Sequence, residues 1–260
     1  MSDPTPGLNM IRTGPRGGVP LLFLHALGLD LSVWEQQIHA FARDRDVIAI
    51  DLPGHGRSPH GQEAPSFAGF AEALVALLGA LRTGPVDVVG ISVGGMIAQT
   101  LAVTSPTQVR SLTLVATSCT FSDAVRQLLR QRADTVRAIG MEGIAPLHIA
   151  RWFPAEFLAA RPEIGDRLGK LLLRNDAAFH ARLWDMVAGL SLEEAIASLP
   201  HPTLVVAGAD DASAPPAAGQ LIVDRMAHAR LAVVPACGHF PPLEHPDAFN
   251  ALLRDFLAQL

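Results

Sequence analysis

The chain has 260 residues, 49% of them hydrophobic and 17% charged, with a net charge of −5. That length can bury a sizeable core, and the charge balance argues against a nucleic acid or an anionic membrane as partner. No stretch is long and apolar enough to span a bilayer, and the opening MSDPTPGLNMIRTG has no apolar signal-peptide core. Cys119 and Cys237 could pair only once, which fits a reduced, cytoplasmic protein better than a disulfide scaffold.

In chain order, a strand is expected over residues 19–24, a helix over 33–43, a strand over 47–50 and a helix over 67–81. The last reads FAGFAEALVALLGAL, an apolar face interrupted by Gly and Glu, which suits a packed amphipathic helix. Next come a strand at 86–91, a helix at 93–103 and a strand at 109–115. After a long gap the pattern resumes with a strand at 203–207, a helix at 216–226, a strand at 231–234 and a helix at 246–260. Several strands are apolar throughout, as expected when both sheet faces are covered. Such alternation predicts an α/β fold with a mainly parallel sheet flanked by helices. Ligands in such folds bind beyond the carboxyl ends of the strands.

The gap, residues 121–199, is rich in Ala, Leu and Arg and shows no strand pattern. Helical pieces are expected at 133–139, 144–152, 163–174 and 177–187. A crossover between strands is usually far shorter, so this span reads as a helical cap inserted into a core made of residues 1–120 and 200–260.

The sharpest local signal is Gly90-Ile91-Ser92-Val93-Gly94, a G-x-S-x-G at a strand-to-helix turn. The turn forces its central residue into a strained backbone and crowds the positions two before and two after it. Glycine at those positions relieves the crowding, and the serine hydroxyl is pushed out at the sheet edge beside a helix N-terminus. The motif alone occurs by chance in roughly one chain per dozen of this length, and an ordinary N-cap serine is the plain alternative. The apolar strand before it and the helix after it favour a nucleophile.

A serine hydroxyl needs a base to take its proton. Carboxylates follow the 203–207 strand in VVAGADDASAPP, and a histidine follows the 231–234 strand in VVPACGHFPPLEHP. Asp211 is favoured over the adjacent Asp210, which is expected to face solvent. His239 is favoured over His245, which sits at a helix start before Pro246. The order Ser92, Asp211, His239 is that of hydrolases of this architecture. Backbone amides at Leu27, in the loop after the first strand, and at Val93 are the expected oxyanion donors. His55, between two glycines, is assigned a structural role. No HExxH or Cys/His metal spacing occurs, and the chemistry requires neither a metal nor an organic cofactor. Homo-oligomer formation stays open.

FLHALGLDLSVWEQQI, VIAIDLPGHGRS, VVGISVGGMIAQ, LVVAGADDASAPP and GHFPPLEHP together resemble the α/β-hydrolase superfamily over nearly the whole chain. Within it, LGLDLSVWEQQI, GISVGGMIAQ and IARWFPAEFLAARPE are most similar to 3-oxoadipate enol-lactonases. Leu24-His25-Ala26 stands where many of those lactonases carry Ser-Asn-Ser. The resemblance implies a helical cap, the same Ser–Asp–His set, and opening of a small lactone or ester in the breakdown of aromatic compounds. A broad carboxylesterase is the alternative. A C–C bond hydrolase fits less well, because Asn is missing before the serine, as does a non-catalytic binding relative. An acidic substrate needs a cation, and residues 121–187 carry ten basic and eight acidic side chains. Arg151, beside Trp152, is the chosen carboxylate clamp, and Trp152 and Trp184 could wall an apolar pocket, although packing inside the cap is the plainer reading of either.

Overall fold

The computed structural model describes residues 7–61 and 63–260. The first six residues, part of the segment read for a signal peptide, lie outside the described residues. Seven strands form one sheet: β1 (Met10–Thr13), β2 (Leu21–Leu24), β3 (Val47–Ile50), β4 (Val86–Ile91), β5 (Val109–Val115), β6 (Thr203–Gly208) and β7 (Ala229–Val234). Their spatial order is β1-β3-β2-β4-β5-β6-β7. All neighbours pair parallel except β1, which runs antiparallel to β3. The helices are α1 (Glu35–Phe41), α2 (Phe67–Leu81), α3 (Val93–Thr104), α4 (Asp123–Trp152), α5 (Ala155–Ala160) and α6 (Pro162–Leu172). They continue with α7 (Ala177–Ala188), α8 (Glu193–Ile196), α9 (Pro216–Arg225), α10 (Pro241–Glu244) and α11 (Pro246–Leu257).

The central strands are buried on both faces, which is why LLFL, VIAI and VDVVGI are nearly continuous apolar runs. Asp87 is the polar exception. Its carboxylate is held by Arg110, Arg45 and the Ser111 hydroxyl at the strand's start, away from the carboxyl edge.

The strand register sets the site. Leu24 lies opposite Gly90, Ile91 opposite Val115, Val115 opposite Val206, and Gly208 opposite Val234. Six parallel strands therefore end at one edge, and the loops after them converge there. Between β5 and β6 the described chain forms only helices, α4 to α8, with a single isolated bridge between Thr120 and Ser191. Helix α4 packs chiefly on α7.

Several boundaries differ from the expectation. Strand β1 was not anticipated. It is a four-residue edge strand, half-exposed, too short to show a period. The helix expected over 33–43 begins as a 3-10 turn, Leu31–Trp34, in which the Asp30 carboxylate accepts from the Ser32 amide. The pieces expected at 133–139 and 144–152 belong to the single long element α4, which starts at Asp123 behind a Ser122 cap. It breaks at Gly140, where φ is 65° and the helical pattern is interrupted. Cys119 and Cys237 are buried and unpaired. No helix among the described residues is long and apolar enough to cross a membrane.

Candidate active site

Ser92 sits between β4 and α3 with φ 55° and ψ −119°, a conformation that costs a non-glycine residue roughly 1–3 kcal/mol. The surroundings hold it there. The Ser92 amide donates to the Val115 carbonyl (2.9 Å), and the Ser92 carbonyl accepts from the Gly95 amide (3.0 Å) and the Thr117 hydroxyl (2.7 Å). A Cβ on Gly90 would run into the Gly94 carbonyl, so the first glycine is demanded by the turn's own crowding. A Cβ on Gly94 would instead strike the Leu24 and His25 backbone. The second glycine thus serves the contact between α3 and the loop after β2, not contact with Gly90. The Ser92 side chain caps nothing in α3 and faces a cavity.

Asp211 and His239 come together as the sequence order suggested. His239 Nδ1 lies 2.7 Å from Asp211 Oδ2, and both side chains are buried. The other carboxylate oxygen, Oδ1, accepts from the amides of Ser213 (2.7 Å) and Ala214 (3.0 Å). Burial works to raise the Asp211 carboxyl, but the charge and hydrogen bond of His239 and the two amides outweigh it, so it lies below the usual carboxylate range. Asp210 is exposed. His245 points elsewhere, with its Nε2 on the Ala236 carbonyl (2.9 Å).

Two features around His239 escaped sequence reasoning. Its own amide donates to the Trp152 carbonyl (2.7 Å). The amides on either side of it, Gly238 and Phe240, donate to the two oxygens of the buried Glu244 carboxylate (2.7 and 2.8 Å). Burial pushes that carboxyl up, against the pull of the two amides. A glutamate in the first turn of a short Pro-Pro helix was the available signal.

The loop after β2 brings Leu27 to the same cavity, and Val93 lies at the first turn of α3. Among the described residues neither amide donates to an acceptor. The loop is shaped by His25, whose Nδ1 is 2.8 Å from the Ala26 carbonyl and whose Nε2 accepts from the Leu52 amide (2.9 Å). Full burial lowers its pKa to about 4, so the ring is neutral at physiological pH. His55 packs edge-on against His25, and burial lowers it to about 3, in keeping with a structural part.

Ser92 and His239 line one cavity of about 490 Å³ with Leu27, Val93, Arg151 and Trp152. No hydrogen bond joins Ser92 to His239 among the described residues; they share the cavity while Asp211 lies behind the imidazole. The Trp152 ring stacks on the His239 ring at a centroid distance of 6.5 Å. Arg151 reaches the cavity but is exposed, and its guanidinium donates to the Ser213 hydroxyl (3.0 Å) and the Ala212 carbonyl (2.7 Å). Arg132, which sequence reasoning did not single out, also lines the cavity. It lies over the Trp184 ring at 5.1 Å and has no carboxylate partner among the described residues. Burial, and then the charge of Arg151, lower its pKa to about 10, so it is still a cation at neutral pH. His148 is sandwiched between Trp152 and Trp184 at 5.2 and 5.6 Å. Among the described residues no acidic side chain lines the cavity. Among the described residues, no cluster of three or more His, Cys, Asp or Glu could hold a metal ion.

Comparison with known proteins agrees with this architecture. The chain is 31% identical to 3-oxoadipate enol-lactonase 2 of Acinetobacter baylyi, over 94% of this chain and 90% of the relative. It is 32% identical to the pimeloyl-[acyl-carrier protein] methyl ester esterase of Chromobacterium violaceum, over 92% and 94% of the two chains. The crystal structure of the enol-lactonase from Burkholderia xenovorans superposes with a TM-score of 0.91, covering 96% of each chain, at 24% identity, which speaks for the fold. A model described as "Alpha/beta hydrolase family" matches residues 21–252. With that match over most of its length, and a parallel sheet whose strand ends gather Ser92, Asp211 and His239, the chain belongs to the alpha/beta hydrolase family and is a hydrolase.

Proposed function

We propose that the protein is a serine hydrolase that opens a small lactone or ester bearing a carboxylate, through an acyl-enzyme on Ser92. The enol-lactone of 3-oxoadipate, formed in the breakdown of aromatic compounds, is the substrate that best fits. One observation carries the acidic part of this reading. Among the described residues, the cavity holding Ser92 and His239 is lined by two guanidiniums and no carboxylate, and one of them, Arg132, has no acidic partner. A half-buried cation beside a second cation is unfavourable until an anion pairs with it. A substrate carboxylate would supply that anion, and the fork of Arg132 suits it. Arg151, whose guanidinium is already bonded to the Asp211 loop, acts in this reading by its charge.

The proposed steps use the residues gathered at the cavity. His239 Nε2 takes the hydroxyl proton as Ser92 Oγ attacks the acyl carbon. Asp211, fixed by its two amides, holds the proton on Nδ1 and steadies the imidazolium. The amides of Leu27 and Val93 receive the oxyanion. Collapse breaks the ring C–O bond, and the proton on His239 passes to the released enol oxygen, which tautomerises to a ketone. A water deprotonated by His239 then attacks the acyl carbon, releasing the carboxylic acid and restoring Ser92. Helices α4 to α8 serve as the lid that excludes bulk water.

A broad carboxylesterase is the second reading, favoured by the apolar share of the cavity lining and by the esterase among the relatives. Steady-state assays on the enol-lactone and on uncharged nitrophenyl esters separate the two. The leading reading predicts a higher kcat/KM for the lactone, and a rise in its KM of roughly tenfold or more in Arg132→Gln. Equal ester turnover in wild type and Arg132→Gln, with no lactone turnover, would establish the esterase.

A further inference from the structure

One wall of the cavity is a single stripe of α4. Val125, Leu128, Leu129 and Arg132 all line it, at spacings of three, four and seven residues, so they share one helix face. At about 1.5 Å per residue the stripe is roughly 10 Å long. Arg132, over Trp184, marks one end. At the other, Val125 and Leu128 are 37% and 54% exposed, large apolar side chains left open on the same side of the helix that buries Leu129, Ala133 and Val136. Facing the stripe are Ala217, Ala218 and Leu221 of α9, again one face, with the two small residues leaving room.

This arm offers little to a polar substituent. The Ser122 hydroxyl is taken up capping α4, and that of Ser213 accepts from Arg151. A volume of about 490 Å³ lies in the range that encloses drug-sized ligands, larger than one lactone ring with a short acid arm requires.

We propose that the space between the first half of α4 and α9 is a subsite for an unbranched apolar chain of up to roughly 10 Å. Lactones or esters that carry an alkyl chain running from the reacting carbonyl toward Leu128 are therefore accepted beside the small acidic lactone. Ala218, opposite the stripe, sets the chain length. The proposal rests on Ser92 marking the reacting end, and its test has an arm that needs no turnover.

The first arm compares nitrophenyl esters from acetyl to octanoyl. Each methylene that enters the arm is expected to raise kcat/KM by up to roughly fourfold, with a plateau once the arm is full. In Ala218→Phe the ratio of octanoyl to acetyl turnover drops at least tenfold. Should Ala218→Phe fail to fold, Leu128→Gln, at an exposed position, is expected to cut the gain of the longest chains alone. The second arm titrates Ser92→Ala with n-alkyl carboxylates from acetate to octanoate, read by the fluorescence of Trp152 and Trp184. Affinity is expected to climb with chain length and to lose that dependence in Ala218→Phe. Chain-dependent binding without ester turnover would uphold the subsite and remove the Ser92 reading. A flat response in both arms, or a chain-length dependence unchanged in both variants, would overturn the subsite.

Discussion

Asp211→Asn separates the role of the acid from its packing. In the wild type Oδ1 accepts two backbone amides and Oδ2 accepts His239 Nδ1–H. An asparagine must place its NH2 at one of these positions. Facing Ser213 and Ala214, it would set donor against two donors, at a cost of about 1–3 kcal/mol for each unsatisfied group. Facing His239, it meets a ring that can change tautomer. The two amides thus fix the orientation, with the amide NH2 toward the imidazole. His239 then keeps its hydrogen on Nε2 and has no lone pair for the Ser92 proton. The lost charge acts in the same direction. At about 4 Å and an effective dielectric near 20, it is worth about 4 kcal/mol to the imidazolium, or roughly 10³ in rate. The expected outcome is a drop in kcat of about 10³–10⁴ with an intact fold. Steady-state kinetics and circular dichroism on the same preparation provide the check. A folded variant that keeps more than a tenth of wild-type kcat would refute the role given to Asp211.

Ser92→Gly should be inactive yet more stable by about 1 kcal/mol, because releasing strain of roughly 1–3 kcal/mol outweighs the entropy glycine adds to the unfolded chain; a lower urea midpoint would contradict this. Glu244→Gln leaves one of the Gly238 and Phe240 amides facing an NH2, so a loss of about 1–3 kcal/mol in stability is expected, with a fall in kcat as the His239 loop loosens. Unchanged thermal unfolding and kcat would remove that clamp. His25 and His148 are lowered to about 4 and His55 to about 3, chiefly by burial, so each is neutral in the fold where the unfolded chain would already be protonated. Their contribution is complete above the unfolded value near 6.5 and is lost as pH falls toward the folded values. Each should cost roughly 1–2 kcal/mol of stability between pH 7 and pH 5; a flat denaturation midpoint over that range would show the histidines to be unburied or already charged.

The fold was legible wherever a strand is covered on both faces. Residues 47–50, 86–91 and 109–115 have the boundaries expected of them, because each is a largely apolar run in a strand covered on both faces. Edge strand β1 left no such trace, since only one neighbour pairs with it. The start of α4 was hidden for a related reason. DAVRQLLRQR carries its apolar residues on a narrow stripe facing a cavity, and its caps, not its periodicity, define it. At the site, Ser92, Asp211 and His239 could be named because each follows a strand in a recognisable turn. Asp211 could be preferred to Asp210 only as an expectation; the buried hydrogen bond to His239 is a three-dimensional fact. Arg132 was passed over because Arg151 is the arginine beside Trp152 in sequence. The aromatic that Arg132 meets, Trp184, lies on α7, a separation that no local pattern encodes. Glu244 and Thr117 act through backbone groups of other turns, which sequence spacing likewise does not display.

The central claim is that the Ser92 hydroxyl is made nucleophilic by the His239–Asp211 pair. Treating the protein with a fluorophosphonate and measuring intact and peptide masses tests it most directly. One adduct per chain is expected, on the peptide holding Ser92, formed at least a hundredfold more slowly in His239→Ala. A wild-type protein left unlabelled, or labelled at another residue, or labelled at Ser92 equally fast without His239, would contradict it.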